Sequence, residues 1–194
     1  MYPAIVLAAG RSSRFGRPKA LAAIGGTTFI TQILRTLAAA GVSEIVVVTR
    51  PADAAMEQEV AASGHVARIV VNLEPSRGQL SSLLAGLDAI DRPENGGAIV
   101  LLVDMPLVSA SAIRRVIAAA QSSSAPIVRA VHAGRHGHPV VFKRETFEAL
   151  RRADPAVGAK AVVHAMQVED VEIAERGVVE DVDTPEDYRR LFES

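Results

Sequence analysis

Two apolar patterns alternate regularly along this 194-residue chain, and they limit the folds that it can adopt. Short, continuous apolar runs such as residues 4–8 and 45–48 are typical of strands that are covered on both faces. Between such runs, apolar residues recur at helical spacing, as at Leu80, Leu83 and Leu87. Strands that alternate with helices predict a mostly parallel sheet with helices on both of its faces.

The predicted elements change character in the last third of the chain. Earlier, strands are predicted at residues 4–8, 44–49, 68–72 and 98–103, with helices starting near Thr28, Ala52, Leu80 and Ser109. Later, residues 126–131 and 139–142 flank a Gly-rich bend at 133–137, which predicts an antiparallel excursion. Helices at 145–152 and 158–166, a strand from 168 to 173 and a helix from Thr184 follow. We therefore expect one α/β domain, residues 1–194, in three Rossmann-like layers.

Composition excludes several classes of function. A formal net charge of -1 gives no reason to expect a nucleic-acid partner. The chain has no cysteine, which excludes disulfides, thiol catalysis and cysteine-ligated metals. No apolar run approaches the roughly 20 residues that cross a bilayer, and the N-terminus does not have the form of a secretory signal. We expect a cytoplasmic protein without a membrane partner.

A basic, Gly-containing loop follows the first predicted strand. Between Gly10 and Lys19 the sequence places four cations, namely Arg11, Arg14, Arg17 and Lys19. Ligands of open parallel sheets bind beyond the carboxyl ends of the strands, and glycines let the backbone approach a phosphate. The loop fits neither a P-loop nor a dinucleotide-binding fingerprint. The pattern indicates a triphosphate site, and the alternative is a solvated loop whose glycines serve only for turning.

Two acidic positions are candidate metal ligands. Asp104 directly follows a predicted strand, where a carboxylate can meet a metal bound to phosphates. The alternative is that Asp104 caps the turn at Val108 or Ser109. Asp183 alternates with Asp181 on an extended segment, and either acid is a candidate second ligand. Asp183 is favoured, although Asp183 or Thr184 is also expected to cap the following helix.

Polar residues at a predicted helix start and in the Gly-rich bend are candidate ligand contacts. The segment Gly78-Gln79-Leu80-Ser81-Ser82 presents small polar groups and free N–H donors, with Asn72 at a nearby strand end. Ordinary capping by Ser76 or Ser81 explains the serines equally well. His136 and His138 suggest zinc, but the sequence offers no third ligand with convincing spacing.

Taken together, these segments resemble one family. Leu7-Ala8-Ala9-Gly10 with Arg14, Gly16 and Lys19 resembles the signature loop of the MobA-like nucleotidyltransferases. The resemblance continues in the family's order through Gly78 to Ser82, Asp104-Met105-Pro106, Gly137-His138-Pro139 and Asp181 to Asp187. It covers nearly the whole chain and is closest to the molybdenum cofactor cytidylyltransferases, often called MocA.

The resemblance implies a GT-A-like nucleotidyltransferase fold and a defined reaction. CMP would pass from CTP to a phosphate of an acceptor, molybdopterin, with Mg²⁺ as cofactor and release of pyrophosphate. A molybdoenzyme or its chaperone is the protein partner that it suggests. The assigned catalytic residues are Arg14, Lys19 and Asp104, and the assigned metal ligands are Asp104 and Asp183. Nucleotide contacts are assigned to Leu7, Ala8, Ala9, Gly10, Arg11, Gly16, Asn72, Gly78, Gln79, Ser81 and Ser82, and acceptor contacts to Gly137, His138 and Pro139.

Three alternatives stay open at this point. A sugar-phosphate or glycerol-phosphate nucleotidyltransferase would share the fold and differ in the acceptor pocket. A guanylyltransferase is closer, although the Ser81-Ser82 pair is more similar to the cytidylyl branch. Val103 departs from the Gly that often precedes Asp104 in that branch. A non-catalytic chaperone that binds NTP or cofactor is the third alternative, and the presence of both Lys19 and Asp104 counts against it.

Overall fold

The computed structural model of the chain describes residues 1–10, 15–16 and 18–193. Its strands are β1 (Ala4–Leu7), β2 (Ala23–Ile24), β3 (Thr27–Thr28), β4 (Ile45–Thr49), β5 (Arg68–Val71), β6 (Gly97–Leu102), β7 (Ile127–His132), β8 (Arg135–Lys143) and β9 (Val168–Glu172). Its α-helices are α1 (Phe29–Ala39), α2 (Ala54–Ala62), α3 (Gln79–Ile90), α4 (Ala110–Ser122), α5 (Phe147–Arg152), α6 (Lys160–Ala165) and α7 (Pro185–Phe192). Short 3-10 helices lie at Lys19–Leu21, Pro75–Arg77, Arg144–Thr146 and Arg176–Val178.

Seven of the strands form one sheet in the order β5-β4-β1-β6-β8-β7-β9. β1 pairs in parallel with both β4 and β6, and β4 pairs in parallel with β5. β8 is antiparallel to β6 and to β7, and β7 is parallel to β9. The predicted mostly parallel sheet with an antiparallel excursion in the last third is therefore confirmed.

Alternate residues of the central strands face two separate cores. Ala4 and Val6 of β1 belong to a core with α1, α2 and α4. Ile5 and Leu7, on the opposite face, belong to a second core with α3, α5 and α6. Because successive strand residues point to opposite sides, β1 must be apolar throughout to be covered on both faces. This gives the three-layer arrangement that the sequence predicts.

Some boundaries differ from the prediction. The helix predicted at residues 52–63 begins at Ala54, because Ala52 has a left-handed backbone with φ of 57° and Asp53 occupies the cap position. The strand predicted at residues 139–142 runs from Arg135 to Lys143, so the bend is confined to a turn at Ala133 and Gly134. The extra length arises because His136 and Arg135 pair with Val131 and His132 of β7.

A third, aromatic cluster joins the end of the chain to its beginning. Phe29 is fully buried and lies against Tyr188 and Phe192 of α7, with ring centroids 6.2 and 5.6 Å away. Phe15 contacts the same Tyr188 ring edge-on at 6.0 Å. These contacts hold α7 beside Phe15, which lies in the loop that follows β1. Among the described residues, no helix is both long enough and apolar enough to span a membrane.

Candidate active site

The candidate site lies at the carboxyl edge of the sheet, where β1 and β6 end side by side. Leu7 and Leu102 are partners in the parallel register, so the segments that follow them start at the same edge. After Leu7 comes the loop that leads to Lys19, and two positions after Leu102 comes Asp104. The C-terminal segment joins them, because the Val182 amide donates to the Asp104 carbonyl oxygen at 2.9 Å. Three distant parts of the chain therefore meet at one place.

Lys19 and two carboxylates form the centre of this site. The Lys19 ammonium donates to Asp104 Oδ2 at 3.0 Å and to Asp183 Oδ1 at 2.6 Å. The three side chains are 12%, 22% and 30% exposed, so the cluster is partly buried and still reachable from solvent. The structure thus brings together three of the residues that the sequence analysis assigned to catalysis and metal binding. Their roles in catalysis and metal binding stay a prediction.

The protonation of Lys19 follows from its surroundings. Burial lowers its pKa, but the hydrogen bonds to Asp183 and Asp104 and the charges of both carboxylates raise it by more. The net pKa of Lys19 lies above its usual value. Lys19 therefore carries its positive charge at neutral pH and can hold an anionic group.

Asp104 has one oxygen that the protein does not use. Its Oδ1 atom is buried and has no hydrogen-bond partner among the described residues. A buried carboxylate oxygen without a partner is costly, so such an atom calls for an explanation. The alternative role of Asp104 as a cap is not observed, because the Ser109 hydroxyl itself accepts from the Ala112 amide at the start of α4. Asp104 is therefore available for a ligand.

Asp181 and Asp183 differ in their surroundings, and their role as metal ligands stays a prediction. Thr184 caps α7, and its side chain and that of Asp187 form a reciprocal capping box. Because Thr184 supplies the cap, Asp183 is not needed for that purpose and extends to Lys19. Asp181 is exposed. The sequence left the cap to either Asp183 or Thr184, and the structure assigns it to Thr184.

The signature loop is only partly described. Leu7, Ala8 and Ala9 are buried, whereas Gly10 is exposed. Gly16 has a positive φ of 76°, a conformation that glycine adopts without steric cost. The predicted phosphate contacts Arg11 and Arg14, together with Arg17, lie outside the described residues.

The predicted nucleobase segment is held together by its own hydrogen bonds. The Asn72 amide donates to the hydroxyls of Ser81 and Ser82 at 2.8 and 2.9 Å, and its oxygen accepts from the Glu74 amide. Gly78, with φ of 84°, occupies the cap position of α3, and no side chain caps this helix. Capping by Ser76 or Ser81 is therefore wrong. Asn72, Ser81 and Ser82 fix the shape of the segment, while Gln79 is exposed at its tip.

The acceptor segment Gly137-His138-Pro139 lies within β8. A Cβ atom at Gly137 would lie 1.8 Å from the Val178 carbonyl oxygen, so only glycine fits there. The His138 ring bonds through Nδ1 to the Val100 carbonyl at 3.1 Å. Burial lowers the pKa of His138 and outweighs the hydrogen bond and the Asp104 charge, both of which raise it. His138 is therefore a neutral imidazole that donates through Nδ1.

Two arginines of the excursion, Arg129 and Arg135, have partners within the protein. Arg129 donates to Asp170 at 2.6 and 3.3 Å and lies 2.9 Å from His136 Nε2. Arg135 donates to the Val179 carbonyl oxygen. Within the part of the chain that the structure describes, no group of three or more His, Cys, Asp or Glu residues has the arrangement of a metal site.

Sequence reasoning missed one feature, a cavity of about 410 Å³ beside the site. It is an open pocket lined by the start of α3, by β6 and β8, and by the segment from Pro155 to Lys160 that leads into α6. His138 lies in its wall, as do Gln79 and Lys160. No sequence motif marks Lys160, because its place in the cavity depends on how a loop from the last third packs against α3.

The match to a family model covers most of the chain. Residues 4–171 match the MobA-like NTP transferase domain. Among curated proteins, the purine catabolism protein PucB of Bacillus subtilis is 25% identical over 193 residues, which are 95% of this chain and 92% of PucB. The 2-C-methyl-D-erythritol 4-phosphate cytidylyltransferase of Streptomyces coelicolor is 35% identical over 135 residues, which are 66% of this chain and 49% of that protein. This chain thus matches only about half the length of the cytidylyltransferase.

Solved structures agree with this match. The crystal structure of Rv0371c from Mycobacterium tuberculosis H37Rv is 32% identical, with a TM-score of 0.84 over 100% of this chain and 97% of that chain. The crystal structure of its complex with manganese is 28% identical, with a TM-score of 0.77 over 100% and 98% of the two chains. The fold, the clustered Lys19, Asp104 and Asp183, and the match over residues 4–171 lead to one conclusion. The chain belongs to the MobA-like NTP transferases, a family of nucleotidyltransferases.

Proposed function

We propose that the protein is a magnesium-dependent cytidylyltransferase that moves CMP from CTP to a phosphate of molybdopterin and releases pyrophosphate. The observation that carries this proposal is the cluster of Lys19, Asp104 and Asp183 at the carboxyl edge of the sheet. An ammonium group beside two carboxylates suits a metal–triphosphate complex, which presents both positive and negative groups to the protein.

The acidic residues fit a magnesium ion. Mg²⁺ is usually held by one or two carboxylates together with substrate phosphates and water, and not by a full cage of protein ligands. Asp104, through its unpartnered buried Oδ1, and Asp183 are the residues that would hold it. The manganese complex of the related Rv0371c supports divalent metal binding in this family. When bound, the ion would neutralise charge on the triphosphate.

The transfer reaction does not require a side chain of the protein to act as nucleophile or general base. An oxygen of the acceptor phosphate bonds to the α-phosphorus of CTP, and the bond from that phosphorus to the bridging oxygen of the β-phosphate breaks. Pyrophosphate leaves with the electron pair. Because the attacking phosphate is already an anion, no general base is required. Lys19 stays protonated and would hold phosphate oxygens, together with Arg14, so catalysis rests on positioning and charge stabilisation.

The choice of CTP and of molybdopterin rests on two kinds of support. The Ser81-Ser82 pair after Gly78 is similar to the cytidylyl branch, and one relative is named as a cytidylyltransferase. The acceptor follows from the resemblance of the signature segments to the molybdenum cofactor enzymes. A molybdoenzyme or its chaperone would then receive the product.

Thermal unfolding with magnesium and each of CTP, GTP, ATP and UTP tests the nucleotide. A ligand at a hundred times its dissociation constant adds roughly 2.7 kcal/mol, which raises the Tm of a domain of this size by roughly 5–10 °C. We expect this rise with CTP, its loss in Asp104→Ala, and its retention in the control Asp181→Ala. A rise with GTP or UTP alone would instead indicate a different nucleotidyltransferase.

Pyrophosphate release tests the chemistry. With CTP, magnesium and purified molybdopterin, we expect release that depends on all three. Nucleotide binding with release only from a sugar phosphate would assign the acceptor to the sugar-phosphate class. Binding without release from any of these acceptors would support the non-catalytic chaperone.

A further inference from the structure

We propose that the protein forms a two-fold symmetric dimer in which β5 of one copy pairs antiparallel with β5 of a second copy, with Val71 opposite Val71. The partner at this edge of the sheet is therefore another copy of the same chain. The inference concerns assembly and goes beyond the proposed function, because it depends neither on the nucleotide nor on the acceptor. It rests on the exposure of β5, on its outward hydrogen-bonding groups and on the charges at its two ends.

Exposed apolar residues are concentrated at this edge. β5 is an outermost strand of the seven-stranded sheet and, among the described residues, pairs with β4 alone. Three of the five large apolar residues that are exposed in the described chain lie in or beside β5, namely Val66, Val71 and Leu73, which are 89%, 39% and 80% exposed. Single exposed apolar residues are normal, whereas a contiguous group marks an interaction surface.

The apolar surface continues from the strand onto α3. Val71 and Leu73 also line an open pocket of about 320 Å³, and Leu80 and Leu84 of α3 lie in the same wall. The charged residues of this wall are two acids and two bases, so the surface has no net charge that would repel a second copy.

The backbone of β5 presents hydrogen-bonding groups to this edge. The amide of Asn72, directly after β5, donates to the Thr49 carbonyl oxygen of β4 at 2.8 Å, so this N–H group faces β4. Because the backbone groups of successive strand residues point to opposite edges, those of Ile69 and Val71 face away from β4. Such an edge is a template for another strand. Two outward-facing residues placed opposite each other exchange both of their hydrogen bonds in an antiparallel pair, and Val71 opposite Val71 meets this condition.

The charges at the two ends of β5 select this register. With Val71 opposite Val71, Arg68 lies opposite Glu74 of the second copy, and the two-fold axis repeats the pair. Ile69 lies opposite Leu73 of the second copy in the same register. Opposite charges and apolar side chains that face each other across two strands stabilise the pairing. The sequence around β5 is therefore complementary to itself in the antiparallel direction.

Both charged side chains can reach a second copy. Arg68 and Glu74 are each more than half exposed. Arg68 donates to the Ala89 carbonyl oxygen at 2.7 Å and lies 3.7 Å from Glu44, and Glu74 pairs with Arg77 at 2.6 Å. Exposed ion pairs of this kind contribute little to stability, so Glu74 can turn to Arg68 of the second copy at little cost.

The opposite edge of the sheet provides a contrast. β9 is the other outermost strand, and its sequence Val-Glu-Asp-Val-Glu has three carboxylates in five residues. Two copies of β9 would bring like charges together, which destabilises a strand pair. Charged side chains commonly protect an edge strand from pairing in this way. β5 has one charged residue in four, and the proposed register gives that residue an opposite charge.

Sedimentation velocity over a range of protein concentrations tests the proposal. We expect the wild type to change from monomer to dimer as the concentration rises. Val71→Lys places two ammonium groups opposite each other at the two-fold axis and should raise the dissociation constant of the dimer at least about tenfold. The control Arg115→Glu changes an exposed cation of α4 and should leave the dissociation constant unchanged. Circular dichroism checks that each variant is folded.

Charge exchange tests the register. Arg68→Glu and Glu74→Arg each place like charges opposite each other twice, so either variant alone should dimerise at least about tenfold more weakly than the wild type. One variant then presents two acids and the other two bases, so an equimolar mixture should form heterodimers at concentrations where each variant alone is monomeric. A wild type that stays monomeric at every soluble concentration, a dimer that Val71→Lys does not weaken, or a mixture that does not associate would each overturn the proposal.

Discussion

Lys19 contacts two carboxylates that lie 85 and 164 positions further along the chain. Because its pKa is raised, the ammonium charge is fixed and its position is set by both acids. We predict that Lys19→Ala and Asp104→Ala each lower turnover at least about a hundredfold, since loss of one preorganised electrostatic group costs about that much. The measurement is kcat for pyrophosphate release with CTP, magnesium and molybdopterin.

The control for this prediction is Arg115→Ala, which removes an exposed cation on α4. Its turnover should equal that of the wild type. Near-normal turnover in either site variant, with the protein still folded by circular dichroism, would remove that residue from the mechanism.

A second prediction about a single residue concerns His138 and the pH dependence of the free energy of unfolding. Burial lowers the His138 pKa in the folded protein, while an unfolded histidine titrates near about 6.5. The stability from keeping this ring neutral is therefore present above about pH 6.5 and is lost as the pH falls through the folded pKa. We expect the free energy of unfolding to fall more steeply between pH 7.5 and 5.5 in the wild type than in His138→Gln. Urea unfolding at the two pH values measures this.

The matched control is His164→Gln, which removes an exposed histidine from α6. It should keep the wild-type pH dependence. An unchanged slope in His138→Gln would show that the ring is not held neutral by burial.

The residues of the cluster could be identified from sequence, but their contacts could not. Asp104 follows a strand and Lys19 follows a glycine loop, and these are local patterns. The distance between them depends on the pairing of β1 with β6 and on the C-terminal segment, which are set by the whole fold. Lys160 has no local pattern at all, so only the packed cavity reveals it.

For helices and strands, local sequence signals predict the residue where an element begins better than they predict how long the element is. Thr28 and Ser109 each cap a helix through the side chain, as the sequence predicts, because that chemistry involves only neighbouring residues. For the last helix the sequence left Asp183 and Thr184 open, and Thr184 is the cap. The length of β8 was predicted too short, since it depends on pairing with β7. The β2–β3 hairpin was missed, because two-residue strands carry no periodicity.

Gly137 provides a test of how closely β8 packs against the backbone of Val178. Its position in β8 brings it against the backbone of Val178, where an added Cβ would lie 1.8 Å from the carbonyl oxygen and 2.6 Å from the carbonyl carbon. We predict that Gly137→Ala lowers the free energy of unfolding by about 1–3 kcal/mol, the usual cost of overpacking. Urea unfolding measures the change. Gly96→Ala is the control, because its Cβ would meet nothing closer than 3.8 Å, and a loss of similar size there would contradict the steric explanation.

At the scale of the whole molecule, the site depends on a segment beyond the family match. That match ends at residue 171, yet Asp183 completes the cluster with Lys19 and Asp104. Val182 is fully buried and bonds to Asp104, and α7 packs on Phe29 near the signature loop. The position of Asp183 is therefore fixed from both sides, by the Val182 contact and by the start of α7.

The cap of α7 tests this dependence. The Thr184 hydroxyl accepts from the Asp187 amide at 3.1 Å and donates to the Asp187 carboxylate at 2.8 Å. Loss of such a cap costs about 1 kcal/mol, so Thr184→Ala should lower the Tm by roughly 2–4 °C. Because the cap lies next to Asp183, we also expect weaker binding of magnesium–CTP, measured by titration calorimetry. The control Ser109→Ala removes the equivalent cap of α4 and should lower the Tm similarly while leaving CTP affinity unchanged. Equal CTP affinity in both variants would mean that the Val182 contact alone positions Asp183.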